Sequence, residues 1–392
     1  MPVPVVLVTY YNAFGTGGME THIVRLAQGL SKLGHRGTLI TPADPAVLGV
    51  APSALGNFAV RVVPPAVEKW FPWHDALQVP RLLARYWRRD ARIVLETLDA
   101  LRHDDARVLY VPGPVNLPST ATLNVLPFWQ ALRVFRRTRV VLGARGAASH
   151  WYGRPVMARL FALEERAQLR FADAVTVVDH YYAQALFPAE HRAKYVVIPN
   201  GVDPDRFRPT PGPDAGVVTF VGRLTPDRGV DVFLDAVEAL RGVRASFRIV
   251  GDGPIREAVL ARLRERSLPV EWLGGISHDR MPEVYAASSV VVNPSPVEGI
   301  GNITLEAMAS GRCVVRTASR YGEFAIRDGE NGLTFPRGDP RALADRIRRT
   351  IEDPALAARL GIAARETVLR SFTVDAEARA YSDLFEALAA RT

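Results

Sequence analysis

Two series of short β-branched runs, each alternating with amphipathic helical patterns, constrain this chain more than any other feature of its 392 residues. In the first half the runs are 3–10, 38–41, 107–111, 139–142, 174–178 and 195–199. In the second they are 217–221, 247–251, 270–274, 289–293 and 314–315. Apolar runs without polar alternation are strands buried on both faces. Strand and helix in turn predict parallel sheets with helices on both sides, an α/β fold. Helices are expected at 19–34, where Ile23, Leu26, Ala27 and Leu30 share a face, and from Val79 through Trp87. Others are expected at 230–240, 342–352, 355–370 and 374–390. Residues 42–75 are rich in Pro, Ala and Gly and predict no regular element. The stretch 204–216 holds four prolines and predicts a linker between two domains.

The chemistry concentrates at 296–311, PVEGIGNITLEAMASG, which follows a predicted strand and turns through Gly299-Ile300-Gly301 into a helix. Glycines let a backbone approach a ligand closely. The first amides of a helix lack intrahelical partners and attract phosphate. Glu298 and Glu306 flank the turn. Carboxylates repel phosphate but accept from sugar hydroxyls. Phosphate on the amides and hydroxyls on the acids describe a nucleotide sugar. An ordinary solvated glutamate pair beside a strand-to-helix turn would show the same spacing. Two further glycine loops fit the pattern. Gly17-Gly18-Met19-Glu20 follows the first strand, and Gly222-Arg223 with Arg228-Gly229 follows the strand at 217–221. Surface arginines in a loop are the plain alternative for the second, and a βα turn for the first.

Glu298-x7-Glu306 within EGIG and LEAMASG is similar to the motif of the retaining glycosyltransferases of the glycogen-synthase-like group, group 1, family four. The first loop with Leu33-Gly34-His35, the segment Ile198-Pro-Asn-Gly-Val-Asp203, and the Gly-Arg-Leu element with Arg228 resemble that family too. The resemblance covers most of the chain. It implies a GT-B architecture: two doubly wound Rossmann-like domains facing a central cleft, with a C-terminal helix crossing back to the first. The expected division is 1–203 with 373–392 on the acceptor side and 204–372 on the donor side. It implies catalytic roles for Arg223, Arg228 and Glu298. Donor contacts are implied at Gly17, Gly18, Gly222, Arg223, Arg228, Gly251, Ile276, Glu298, Gly299, Ile300, Gly301, Asn302 and Glu306. Glu20, His22 and Arg145 are the acceptor candidates. Relatives carry a lysine where Arg228 stands, and an arginine binds phosphate as a planar fork. Tyr321 replaces a glycine usual in relatives, and Glu323 is shifted by one residue. The implied activity is a metal-independent, retaining hexosyl transfer from a nucleoside-diphosphate sugar, UDP favoured. The acceptor is a sugar, a lipid-linked sugar or a small metabolite.

Composition bears on the rivals. The net charge is +8, and only three of the 49 basic residues are lysines. A basic chain invites a nucleic-acid reading. Yet the arginines lie among acids on predicted helices, with no aromatic-basic reader module, so no nucleic-acid partner is expected. An anionic substrate or membrane surface accounts for the charge equally well. The Arg-rich pattern from Val79 to Arg92 can lie on anionic lipid or pack its stripe on a sheet. A non-catalytic sugar-binding protein would leave the glutamates and arginines without a joint purpose. A phosphorylase would need a pyridoxal lysine, and none follows Lys194. No His/Cys spacing suits a metal, and no cofactor is expected. The lone Cys313 and the absence of a basic leader or long apolar run predict a cytoplasmic protein, at most peripheral at the inner membrane face.

Overall fold

The computed structural model describes residues 1–9, 18–42, 55–63, 79–113, 137–144, 168–181, 183–184, 189–211, 213, 216–296, 299–319 and 325–391, without the side chains of 18–21, 79–90 and 113. Internal contacts group Met1–Pro199 with Val374–Thr392 as one unit and Asn200–Thr373 as another.

The first unit is built on seven strands: β1 (Pro4–Val8), β2 (Arg36–Thr41), β3 (Phe58–Val62), β4 (Val108–Gly113), β5 (Arg139–Ala144), β6 (Ala174–Val177) and β7 (Tyr195–Val197). They pair in the order β3-β2-β1-β4-β5-β6-β7, every pair parallel. Strand β3 lies inside the stretch whose sequence predicted nothing regular. It is five residues long, sits at the sheet edge and is only partly buried, and its apolar run is short and broken by Arg61. Successive side chains of β1 alternate between two cores. Val5 and Leu7 pack with Ile23, Leu26 and Leu30 of α1 (Gly18–Lys32), while Val6 and Val8 pack with Ile93 and Leu101 of α2 (Val79–His103).

The chain's last helix returns to this unit. The helices between are α3 (Val230–Ala239), α4 (Arg256–Glu265), α5 (Met281–Ala286), α6 (Asn302–Ala309), α7 (Pro340–Glu352) and α8 (Pro354–Ser371), and α9 is Val374–Ala389. Tyr381, Phe385 and Leu388 of α9 join the core of β1, β4 and α1. Polar side chains pin it as well. The Tyr381 hydroxyl lies 2.9 Å from that of Tyr110, and His35 Nε2 lies 2.7 Å from Ser382 Oγ. His22 Nδ1 lies 3.0 Å from Glu377 Oε1, both side chains buried.

The second unit repeats the plan with β8 (Val217–Val221), β9 (Ser246–Val250), β10 (Val270–Trp272), β11 (Val290–Asn293), β12 (Cys313–Thr317) and β13 (Leu333–Phe335). The order is β10-β9-β8-β11-β12-β13, again all parallel. Helices α3, α4 and α7 cover one face over Val218, Phe220, Val290 and Val292. Helices α5, α6 and α8 cover the other over Val221, Val250, Val291 and Val314. The proline-rich stretch packs into this unit, because Phe207 is fully buried in the second of these cores. Among the described residues no helix is long and apolar enough to cross a membrane.

Candidate active site

A parallel sheet wound outward in two directions leaves a crevice beyond the carboxyl ends of the strands where the direction reverses. In the second unit that point lies between β8 and β11. Gly222 and Arg223 leave β8 there, and the chain leaving β11 reaches Gly299 to Asn302.

Close backbone contacts fix these loops. Gly222 N donates to Val250 O at 3.0 Å and Leu224 N to Asp252 O at 2.9 Å, so the exits of β8 and β9 run side by side. Gly251 makes this possible. Its φ is +145°, and a Cβ there would stand 1.8 Å from Gly222 O. Leu224 is buried, which leaves Arg223 exposed beside it. A short turn at Pro226–Arg228 follows and enters α3 through Gly229. A Cβ on Gly229 would come 2.3 Å from Pro294 O, and Ser295 Oγ donates to Asp227 O at 3.1 Å. The loop bearing Arg228 is thereby seated on the exit of β11. Arg228 is half-exposed, with Asp227 3.5 Å from its Nε.

The glycine turn and α6 are braced from below. Asn293 Nδ2 donates to Thr304 Oγ1 at 3.0 Å, and Arg316 of β12, itself buried, donates from Nη2 to Gly299 O at 3.1 Å. Ile300 is buried, while Asn302 is exposed and accepts from Asn200 Nδ2 at 2.7 Å. Gly301 stands at the cap of α6 and supplies no side chain to its first amides. Those donors and the positive end of the helix face the same edge as the two arginines.

Glu306 sits one turn further along α6 and is only 6% exposed. Tyr285 Oη donates to its Oε2 at 2.9 Å, and His278 Nε2 lies 2.9 Å from its Oε1. His278 follows Ile276 on the loop after β10 and is held in turn, its carbonyl accepting from Arg206 Nη2 at 2.8 Å. Both carboxylate oxygens are engaged, yet each keeps a second lone pair for a hydroxyl donor. His278, Tyr285 and Arg316 were not singled out from sequence. The pairing of 278 with 306 spans 28 residues and left no local signature.

Burial, then the Glu306 charge and the hydrogen bond to it, pushes the Tyr285 hydroxyl well above its usual 10.0. Above pH about 10 the unfolded chain loses this proton while the folded chain keeps it, so stability falls as pH rises. Tyr285→Phe should flatten that alkaline decline. At neutral pH it should cost about 1–3 kcal/mol by leaving Glu306 short of a partner. Urea midpoints of both proteins at pH 7 and 10.5 check this.

Of the remaining candidates, Gly222, Gly251 and Ile276 lie on the exits of β8, β9 and β10. His22 lies on α1 with its ring turned to the last helix. It is buried against Glu377 on α9, and its ring centroid lies 6.1 Å from that of Tyr381. Gly18 and Glu20 fall on α1, their side chains outside the description. Gly17, Arg145, Glu298, Tyr321 and Glu323 lie outside the described residues.

Known proteins share this organisation. Residues 17–201 match the family model "Glycosyl transferase 4-like domain", and residues 215–353 match "Glycosyl transferases group 1". A D-inositol 3-phosphate glycosyltransferase of Streptomyces avermitilis is 31% identical over 239 residues, 55% of this chain and 50% of that protein. A GDP-mannose-dependent alpha-(1-6)-phosphatidylinositol monomannoside mannosyltransferase of Mycolicibacterium smegmatis is 29% identical over 256 residues, 58% of this chain and 66% of that protein. The chain thus spans about half to two thirds of the curated relatives it matches. The solved sucrose-phosphate synthase of Thermosynechococcus elongatus superposes with a TM-score of 0.75 at 21% identity over 100% of both chains, which shows a GT-B fold. The two matched segments cover most of the sequence between them, and the chain belongs to the group 1 glycosyl transferases.

Proposed function

We propose that this protein transfers a sugar from a nucleoside-diphosphate sugar to a hydroxyl acceptor. The observation that carries the reading is the placement of Arg223 and Arg228 on the loop leaving β8 and of the side-chain-free cap of α6 on the chain leaving the adjacent β11, at the switch point of the sheet, with Glu306 buried one turn further along α6. The donor diphosphate lies on the two guanidiniums and the helix amides. As the bond from the anomeric carbon to the phosphate oxygen breaks, its electron pair stays on the diphosphate, and these groups stabilise the growing charge. The acceptor hydroxyl attacks the anomeric carbon and gives its proton to a departing phosphate oxygen. That front-face course retains configuration, and the family resemblance supports it. Two cations and a helix end neutralise the leaving group without a metal ion. Glu306 accepts from the ribose hydroxyls, and Glu298 from those of the sugar.

UDP- and GDP-sugars head the donors to be tried. Both curated relatives carry inositol in their names, so an anionic polyol joins lipid-linked sugars among the acceptors. A thermal-shift screen with UDP-, GDP-, ADP- and TDP-sugars tests the donor half, since a ligand bound only by the folded state raises the melting point. One base should raise Tm by several degrees at 1 mM, and Glu306→Ala should abolish most of that rise. No shift with any nucleotide would sink the reading.

A further inference from the structure

The carboxylate of Glu306 is held by the fold at both of its oxygens. An ionised carboxylate offers about four lone-pair positions and gives no proton. Tyr285 Oη takes one position on Oε2, and His278 Nε2 donates to one on Oε1, each at 2.9 Å. One position per oxygen remains. Donors on both oxygens also stop the group from turning about its last bond.

The two donors are unlike. Tyr285 is fully buried, its ring edge-on to that of Phe207 with centroids 5.8 Å apart. His278 keeps 29% of its side chain exposed. It stands on the loop after β10, and β10, β9 and β8 are parallel neighbours, so that loop shares an edge with the exits bearing Gly251 and Gly222. Tyr285 thus meets the carboxylate from the interior and His278 from the side of the candidate active site. His278 is positioned in its turn. Its ring centroid lies 5.9 Å from that of Phe207, and Arg206 Nη2 donates to its carbonyl and pairs with Asp279. A carboxylate locked in this way suits two hydroxyl donors at once, one for each oxygen. A pentose with hydroxyls on C2′ and C3′ supplies both. A 2′-deoxypentose leaves one oxygen short of a donor on a side chain only 8% exposed, where water replaces it poorly.

We propose that His278 is a positioning residue which, through Glu306, makes the donor site select ribonucleotides over 2′-deoxyribonucleotides. This selection rests on the sugar-transfer reading, in which Glu306 meets the pentose of the donor. Sugars carried on UDP, GDP or ADP satisfy it. Those carried on thymidine diphosphate, whose pentose lacks the 2′ hydroxyl, do not. Removing the imidazole lets the carboxylate turn and lets water reach Oε1, so a missing hydroxyl then costs less.

Titration calorimetry on the full chain measures Kd for UDP, GDP and ADP and for the 2′-deoxy form of each. For the base that binds most tightly, the ribonucleotide should bind about 10- to 100-fold more tightly than its deoxy form, the worth of one hydrogen bond to a charged group. His278→Ala should bring that ratio to within about threefold, as water takes the place of the hydroxyl. His278→Gln, whose amide nitrogen reaches the place of Nε2, should restore it. A histidine that merely braced the fold would weaken both nucleotides in parallel on removal and leave the ratio as it was. That result, a ratio near one in the parent, or no recovery in His278→Gln overturns the role of His278, while tight ribonucleotide binding leaves the sugar-transfer reading standing. Absence of binding by every one of these nucleotides overturns both. The parent ratio needs no variant, so a poorly folding His278→Ala does not shield the selection from the test.

Discussion

Arg228→Ala should lower kcat for sugar transfer about 10²- to 10³-fold, the cost of removing one preorganised group that meets charge as it develops. Its surroundings explain why the effect should be so large. The guanidinium is half-exposed and has an exposed aspartate neighbour at 3.5 Å, a pairing of little worth in water. A departing diphosphate carries far more charge than one carboxylate and should take the guanidinium over. The loop that carries it is fixed against Pro294 and Ser295, so little reorganisation accompanies the step. Because the charge grows only as the bond breaks, kcat should fall more than KM rises. Arg228→Lys should recover most of the rate, since a point charge still reaches the phosphates. Initial rates against donor concentration settle it. A change within threefold for the alanine variant would remove Arg228 from the chemistry.

Gly251→Val should be the most damaging single change to the second unit, costing about 3 kcal/mol of stability through backbone strain and overpacking. The added Cβ would stand 1.8 Å from Gly222 O, a backbone atom that cannot swing aside, at a φ of +145° that a β-branched residue resists. Gly222 precedes Arg223, so whatever relaxes the clash also moves the arginine. A displacement near 1 Å at a positioned group can cost about 10²-fold in rate. Gly301→Ala is the matched control. Nothing lies within 4 Å of its Cβ position, and its φ of −75° suits any residue. It should cost less than about 1 kcal/mol. Urea midpoints and residual transfer rates of the two variants, compared at one temperature, give both halves of the prediction.

The strands of the two sheet centres were legible because each is apolar on both faces. Val217–Val221 and Val290–Asn293 contain almost nothing else. The edge strand Phe58–Val62 was not, since its short run is interrupted by Arg61 and lies within a stretch rich in Pro, Ala and Gly. The glycine turns were legible as loops joining a strand to a helix, because strand–glycine–helix order is local. The clamp on Glu306 was not. His278 and Tyr285 reach it from a loop and helix that enter the chain before β11, and neither spacing is periodic. His22 has a partner that no local pattern announces. It follows the first glycine loop in sequence, while Glu377, 3.0 Å from its Nδ1, arrives from α9, more than 350 residues later. Arg312 and Arg316 carry a similar lesson. In an arginine-rich chain the sequence offered no sign that these two would be buried, one under the strand ends and one behind the glycine turn.

The return of α9 to the first unit sets a timetable for a chain emerging from the ribosome. Tyr381, Phe385 and Leu388 complete the core around β1 and α1, yet they are translated after every residue of Asn200–Thr373. At about 5–20 residues per second, the amino-terminal half waits about ten seconds or more with that apolar surface open. The later half is free to fold first, and a protein truncated before Val374 should leave its earliest-made half the more readily digested of the two.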